Sequence, residues 1–138
     1  MSLILIRGIP GSGKTTMANR LLWANLSPGM VHLEADMFHV DNRGKYVWYM
    51  DNMPKAHEWC VNAARIFLNN GKTVIVSNTF TRLWEMEPYL EHAATLGIST
   101  KIYRMENRFK NIHNVPDLVV SGMASRFEDY EGEEIIRE

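Results

Sequence analysis

The sequence predicts an α/β fold in which a parallel sheet of four or five strands is flanked by helices in three layers, with a short lid. Short apolar runs, such as residues 3–7 and 73–76, alternate with longer segments in which apolar residues recur at helical spacing. Strands that alternate with helices favour a parallel sheet with right-handed crossovers. The length of 138 residues fits a single domain over residues 1–138 and is too short for two.

The predicted elements follow one another as strand, helix, strand, loop, helix, strand, helix, strand, lid and helix. Strands are predicted at residues 3–7, 30–35, 73–76 and 99–103, and helices at residues 14–24, 53–69, 82–96 and 116–128. Asn70-Gly71 and Gly97 end the second and third helices. Pro88 either kinks the third helix or begins a second segment of it. The acidic tail, residues 128–138, is expected to be solvated.

Composition limits the classes of protein to which the chain can belong. The net charge of −1 gives no global basic field, although this is only weak evidence against a nucleic-acid partner. The one cysteine, Cys60, excludes an internal disulfide and suits a reducing compartment such as the cytoplasm. The apolar run of residues 3–6 is too short for a membrane span. His57 and Cys60 lack the further ligands that zinc requires.

Residues 8–15 match the phosphate-binding pattern G-x-x-x-x-G-K-[ST] in full. Its glycines let backbone N–H groups turn inward, and these donors, with the following helix N-terminus, favour a polyphosphate. Lys14 is expected to reach the β- and γ-phosphates of ATP, and the Thr15 hydroxyl to ligate Mg²⁺. An apolar strand precedes the motif and a helix follows it, which disfavours a chance glycine-rich turn. The predicted nucleotide-binding residues are Gly8, Pro10, Gly11, Ser12, Gly13, Lys14, Thr15 and Thr16.

Further motifs resemble the 5′-hydroxyl kinase domain of bacteriophage polynucleotide kinase and the small zeta-toxin-related P-loop kinases. The resemblance covers nearly the whole chain. Beyond residues 8–16 it rests on residues 36–38, 55–60, 77–79, 84–86, 111–116 and 126–128, with Met123. It implies a P-loop NTPase fold, ATP and Mg²⁺ as cofactors, and a nucleic acid or nucleoside as acceptor. For a phage-encoded enzyme it also implies the host cytoplasm as location.

Asp36 is the candidate general base. It follows the second predicted strand, at the sheet edge that carries the phosphate-binding motif. A hydroxyl is a poor nucleophile until a base accepts its proton, and the resemblance implies that Asp36 does so. From the residues alone, Asp36 is this base, a helix N-cap, or a partner of Mg²⁺ acting through water. Glu34 and Asp41 are weaker candidates, and Glu34 is expected to point off the sheet as an edge charge.

Two departures from the family pattern lie near this position. In the family an arginine follows the base by three positions and pairs with an aspartate of the third-strand motif. The matching residues are His39 and Asn78. An imidazole and an amide differ from a guanidinium–carboxylate pair in both charge and geometry. The ATP chemistry is unaffected, whereas specificity for a 5′ end is in doubt. His39 is either a substrate contact or an exposed loop histidine.

The predicted lid supplies cations for the transferring phosphoryl group. Residues 105–115 contain Arg108 and Lys110, and cations on a mobile segment often stabilise such charge. The resemblance gives the family's lid arginine the position of Lys110, with Arg108 as its substitute. Both cations could equally be solvated. Arg126, in the last helix, either approaches the nucleotide or pairs with a nearby carboxylate.

The loop that follows Asp36 carries aromatic and basic side chains. Tyr46 and Trp48 could stack an acceptor base, and Arg43 could hold its phosphate. The same aromatics could instead form a hydrophobic cover over the domain. These residues, with His39 and Asn78, are the predicted acceptor contacts.

Three functions compete at this point. The first is a kinase acting on a hydroxyl of a polynucleotide, which the resemblance favours. The second is a kinase of another alcohol: 5-hydroxymethylpyrimidine in DNA, a nucleoside or a small metabolite. The third is an NTP-hydrolysing switch without an acceptor. A switch would normally carry an acidic residue after the third strand, and Ser77-Asn78 stands there instead, which favours a kinase.

Overall fold

Five parallel strands form one sheet in the order β2-β3-β1-β4-β5. The computed structural model describes residues 1–25, 29–39, 53–107 and 116–137. The strands are β1 (Ser2–Arg7), β2 (Met30–Leu33), β3 (Thr73–Asn78), β4 (Ser99–Met105) and β5 (Glu134–Ile136). Because β1 lies at the centre of the sheet, the loop that follows it opens between the ends of β3 and β4.

Helices cover both faces of the sheet, which gives the three layers that the sequence predicts. The helices are α1 (Lys14–Asn25), α2 (Met53–Asn69), α3 (Glu87–Leu96) and α4 (Asp117–Arg126), with 3-10 helices at Ala35–His39 and Leu83–Glu85. One face packs against α1 through Met17 and Ala18. The other packs against α2 and α3, where Cys60, Ala64 and Leu68 are buried one helical turn apart. None of the described helices is both long and apolar enough to cross a membrane.

The prediction of a solvated acidic tail is wrong for part of its length. Glu134–Ile136 forms β5 and pairs in parallel with Tyr103–Met105 of β4. Three residues are too few for an alternating pattern to be recognised in the sequence. The strand is stabilised by pairing with residues about thirty positions earlier in the chain.

Other boundaries also differ from the sequence-based expectation. β2 ends at Leu33 instead of residue 35, and the next residues turn into the 3-10 helix Ala35–His39. The predicted helix over residues 82–96 is divided, with a 3-10 turn at Leu83–Glu85 and α3 beginning at Glu87. Pro88 lies in the first turn of α3, where its missing N–H costs no helical hydrogen bond. Pro88 therefore begins a second segment instead of kinking one helix.

The strand register brings the polar residues of three strands to one edge. Ile6 of β1 pairs with Ser77 of β3, and Leu33 of β2 pairs with Val76. Glu34, one residue beyond Leu33, is therefore level with Ser77. The phosphate-binding motif begins two residues after Ile6, so the ends of β1, β2 and β3 converge there.

Candidate active site at the carboxyl ends of the strands

The phosphate-binding loop can be built only with glycine at its first position. A Cβ on Gly8 would lie 2.3 Å from Ser12 Oγ and 2.8 Å from the carbonyl oxygen of Met105. The Gly8 N–H donates to the Thr79 carbonyl oxygen at 3.2 Å, which joins the loop to the end of β3. Gly11 and Gly13 have φ values of 83° and 97°, a region that side chains with a Cβ disfavour.

The loop fits a polyphosphate. Ser12 is fully buried, and its hydroxyl has no hydrogen-bond partner among the described residues. A buried hydroxyl without a partner carries a desolvation penalty, which a phosphate oxygen would relieve. The N-terminus of α1 follows directly at Lys14 and adds its own unpaired N–H groups.

Lys14 lies at the loop, where the charges of two carboxylates act on it. Its ammonium donates to the Ile9 carbonyl oxygen at 3.0 Å. Burial lowers the pKa of Lys14 to about 8, and the negative charges of Asp36 and Glu34 oppose that shift. The ammonium is therefore poised at the loop, with both carboxylates near enough to act on its charge.

Glu34 points into the site, and the prediction that it leaves the sheet as an edge charge is wrong. Its Oε2 accepts hydrogen bonds from the Thr15 hydroxyl at 3.2 Å and the Ser77 hydroxyl at 3.1 Å. The Ser77 hydroxyl also lies 2.6 Å from Nε2 of His32. The cause is register: Glu34 follows the last paired residue of β2, where the chain turns toward β3. The signal in the sequence was its position at the strand end where ligands bind.

Asp36 lies in the first turn of the 3-10 helix Ala35–His39 and is half-buried. Asn78 holds the start of this helix, because its Oδ1 accepts a hydrogen bond from the Ala35 N–H at 2.7 Å. The Asn78 amide also donates to Cys60 Sγ at 3.7 Å. Asn78 is 6% exposed, so its contacts position the turn that carries Asp36. A direct contact of Asn78 with substrate stays a prediction.

Several predicted site residues lie outside the part of the chain that the structure describes. These are Arg43, Tyr46, Trp48, Arg108 and Lys110, together with the side chain of His39. Their roles in the acceptor site and the lid stay predictions. Thr16 is exposed in the first turn of α1, and Arg126 is exposed in the last turn of α4.

Two cavities flank the phosphate loop. The first, called the β4-side cavity, has a volume of about 340 Å³ and is lined by Gly8, Ile9, Arg104, Met105, Glu106, Asn107, Ala124, Phe127 and Arg137. The second, called the β3-side cavity, has a volume of about 600 Å³ and is mostly apolar. Residues of α2 and α3 line it, with Thr79, Trp84 and Arg126. Thr79 bonds to Gly8, so this cavity adjoins the loop.

A group that sequence reasoning missed anchors the base of the loop, and we call it the arginine clasp: Arg7, Arg104, Phe127 and Glu133. Arg7 is fully buried and donates twice to the Phe80 carbonyl oxygen, at 2.6 and 3.1 Å. It also pairs with Glu133 at 2.8 Å. Phe127 has the Arg7 guanidinium 4.3 Å and the Arg104 guanidinium 4.5 Å from its ring centroid. The only sequence signal was a charged residue at the end of an apolar strand.

The sheet order and the phosphate loop define the P-loop class of nucleotide-binding proteins. Within it, the AAA domain family matches residues 3–128. The chain therefore belongs to this AAA domain family. It is 30% identical over 133 residues to an uncharacterized protein of Pasteurella multocida, covering 88% of this chain and 74% of that one. It is also 37% identical over 89 residues to human NEDD4-binding protein 2, covering 64% of this chain and 5% of that protein.

Solved structures with the same fold include P-loop kinases. A sugar kinase from Janibacter sp. HTCC2649 matches with a TM-score of 0.66 and 18% identity, covering 99% of this chain and 83% of that one. A chain of the Pnkp1/Rnl/Hen1 complex matches with a TM-score of 0.64 and 17% identity, covering 99% of this chain and 45% of that one. The Mycobacterium tuberculosis APS kinase matches with a TM-score of 0.60 and 16% identity, covering 93% and 97%. At such identities the likeness shows the fold alone.

Proposed function

We propose that this protein is an ATP-dependent kinase that transfers the γ-phosphate to a hydroxyl group of a nucleic acid. The observation that carries the proposal is the convergence at Lys14 of a complete phosphate loop and the two carboxylates that follow β2. A phosphate-binding loop alone suits any nucleotide-binding protein. Carboxylates beside the loop add a means of activating an acceptor.

The loop residues would hold the nucleotide. The backbone N–H groups of Gly11 and Gly13 and the Ser12 hydroxyl would surround the β-phosphate. Lys14 would bind the β- and γ-phosphates. Lys14 would exchange its bond to the Ile9 carbonyl for phosphate oxygens. The Thr15 hydroxyl would ligate Mg²⁺, which neutralises phosphate charge when it is bound.

Asp36 would accept the proton of the attacking hydroxyl. It stands three residues past the end of β2, on a turn that Asn78 fixes from β3. Its charge acts on Lys14, which supports a position near the transferred group. The lid cations Lys110 and Arg108 would stabilise the charge that develops on the phosphoryl group.

The β3-side cavity supports a planar acceptor. Trp84 lines it and is 66% exposed, which leaves an aromatic surface on which a planar base could stack. Arg126 lies on the same cavity wall and could bind a phosphate of the acceptor chain. Stacking on an aromatic ring beside a cation is typical of single-stranded nucleic-acid recognition. One protein of the same fold belongs to the Pnkp1/Rnl/Hen1 RNA repair complex.

A second candidate is a kinase of a small alcohol, such as a nucleoside, a hydroxymethylpyrimidine in DNA or a metabolite. The fold is equally similar to that of sugar kinases, and a cavity of about 600 Å³ is within the size range of small-ligand sites. The absence of an acid at the end of β3 disfavours the third candidate, a switch without an acceptor. Glu34 weakens this argument, because it supplies a carboxylate to the site from the end of β2.

The discriminating experiment is transfer of labelled γ-phosphate to a panel of acceptors. The panel contains 5′-hydroxyl and 3′-hydroxyl oligonucleotides of DNA and RNA, hydroxymethylpyrimidine DNA, nucleosides and gluconate. Lys14→Ala serves as the inactive control. Labelled oligonucleotide is the expected product. Labelling of nucleosides or gluconate alone would favour the second candidate, and slow ATP hydrolysis without any labelled acceptor would favour the switch.

A further inference from the structure

The structure assigns Glu34 as the carboxylate of the magnesium site, supplied from the end of β2 in place of an acid at the end of β3. We infer that Glu34 acts on Mg²⁺ through the Thr15 hydroxyl, while Asp36 is left to serve the acceptor. The inference rests on the proposed function to the extent that both need Mg·ATP on the loop.

The contacts of Glu34 converge on one oxygen atom. Two hydroxyl groups, those of Thr15 and Ser77, donate to the same Oε2. A hydroxyl carries one donated proton and two acceptor lone pairs. With its proton committed to Glu34, the Thr15 oxygen presents only lone pairs to its remaining surroundings, which is the state that a metal ligand requires. Glu34 therefore orients the hydroxyl that would ligate Mg²⁺ and increases the electron density on its oxygen.

The residues around Glu34 fix it in this position. The Ser77 hydroxyl is itself 2.6 Å from Nε2 of His32, so His32, Ser77 and Glu34 form a chain of hydrogen bonds across β2 and β3. The Glu34 side chain is only 16% exposed. Lys14 supplies the compensating positive charge. A carboxylate that is held and mostly buried is more effective electrostatically than an exposed one.

The end of β3 lacks the acid that P-loop proteins commonly use to hold Mg²⁺. Ser77 and Asn78 occupy that end, and Asn78 is committed to Ala35. Because Glu34 is level with Ser77 across the β2–β3 pair, its carboxylate fills the same place from the neighbouring strand. The absence of an acid in β3 therefore does not mean that the site lacks a carboxylate.

The first test measures metal-dependent nucleotide binding without any acceptor. The probe is a non-hydrolysable ATP analogue, titrated with and without Mg²⁺, and Mn²⁺ binding is followed by electron paramagnetic resonance. Glu34→Gln should lose about 10- to 100-fold in metal affinity, as other changes beside a metal ligand do. Binding of the analogue without metal should be retained, which also shows that the variant is folded. Asp36→Asn is the matched control and should keep the Mn²⁺ affinity of the unchanged protein.

The second test moves the carboxylate between strands. The double variant Glu34→Ala, Ser77→Asp places an acid at the end of β3, and it should recover at least part of the metal affinity that Glu34→Ala loses. Glu34→Gln with unchanged Mn²⁺ affinity would overturn the inference, as would a larger loss in Asp36→Asn. If Glu34→Gln does not fold, the double variant decides, since recovery supports the assignment and failure to recover refutes it.

The two proposals can fail separately. A protein that labels no hydroxyl acceptor but shows the Glu34 effect on Mn²⁺ would lose its kinase function and keep this metal site. A protein that labels an acceptor with Glu34→Gln binding Mn²⁺ normally would keep the kinase function and lose the assignment of Glu34.

Discussion

The two flanks of the phosphate loop are built from opposite chemistry. On the β2–β3 flank, Glu34 and Asp36 follow a strand end, and hydrogen bonds from hydroxyl groups hold Glu34. On the β4–β5 flank, the arginine clasp holds the buried Arg7 and the half-buried Arg104 guanidinium groups against one ring and one carboxylate. Hydroxyl contacts can exchange with a ligand at little cost, whereas buried ion pairs cannot. The first flank is suited to chemistry and the second to holding the loop in place.

The largest effect on phosphoryl transfer is expected at Lys14, in the phosphate loop that the two flanks enclose. Lys14→Ala should lower phosphoryl transfer by at least about 10³-fold, because one preorganised charge is lost from the phosphates. Mg·ATP binding should weaken, and the circular dichroism spectrum should be unchanged, because the side chain stabilises the loop and not the core. Full transfer activity in Lys14→Ala would remove the basis for the nucleotide site.

The second-largest effect is expected from the lid cations, and it falls on turnover. Lys110→Ala should lower kcat by about 10²-fold, with a smaller effect on ATP binding, because the charge is needed mainly as the transition state forms. Arg108→Ala is the comparison variant, measured by steady-state kinetics at saturating acceptor. A larger effect from Arg108 than from Lys110 would shift the predicted position of the lid cation by two residues.

On the opposite flank, the arginine clasp should influence stability more than chemistry. Arg7→Met should lower the free energy of unfolding by about 3 kcal/mol, because it leaves the Phe80 carbonyl without its donor and breaks a buried pair. Urea denaturation measures this change.

Arg82→Met is the control, since the Arg82–Glu128 pair spans 3.7 Å between side chains that are 45% and 41% exposed. Arg82→Met should lower the free energy of unfolding by less than about 1 kcal/mol. Equal losses in the free energy of unfolding for Arg7→Met and Arg82→Met would contradict the difference between the buried clasp and an exposed ion pair.

The smallest effect concerns the acceptor. Trp84→Ala should raise the KM for an oligonucleotide acceptor about tenfold, the scale of one lost base–aromatic stack, with ATP binding unchanged. Trp23→Ala is the matched control, because Trp23 is 76% exposed on α1 and lines neither cavity. An unchanged KM in Trp84→Ala would direct attention to Tyr46 and Trp48 as the stacking residues.

The parts of the molecule that the sequence predicts well are those set by local pattern. β1, the phosphate loop and α1 form a continuous segment whose apolar run, glycines and helical spacing are each visible within a short window. α2 is similar, since its buried residues recur at one helical face and Gly71, with a φ of 78°, ends it. These features depend on few contacts from elsewhere.

The parts that it does not predict depend on distant partners. Glu34 faces the site because β2 pairs with β3, about forty residues later. Arg7 is buried because Phe80, Phe127 and Glu133 surround it. Phe80 adopts a φ of 45°, which is uncommon for a bulky residue and is stabilised where its carbonyl accepts both Arg7 bonds. No local window contains these pairings.

The central claim is that Asp36 activates an acceptor hydroxyl beside a bound nucleotide. The measurement that tests it most directly compares Asp36→Asn with the unchanged protein in two assays: Mg·ATP affinity, and the rate of labelled phosphate transfer to the acceptor identified from the panel. Asparagine keeps the shape of the side chain and removes its basicity. The account predicts nearly unchanged affinity and a rate lowered by about 10²-fold or more. An equally steep fall in affinity, or no change in either quantity, would contradict it.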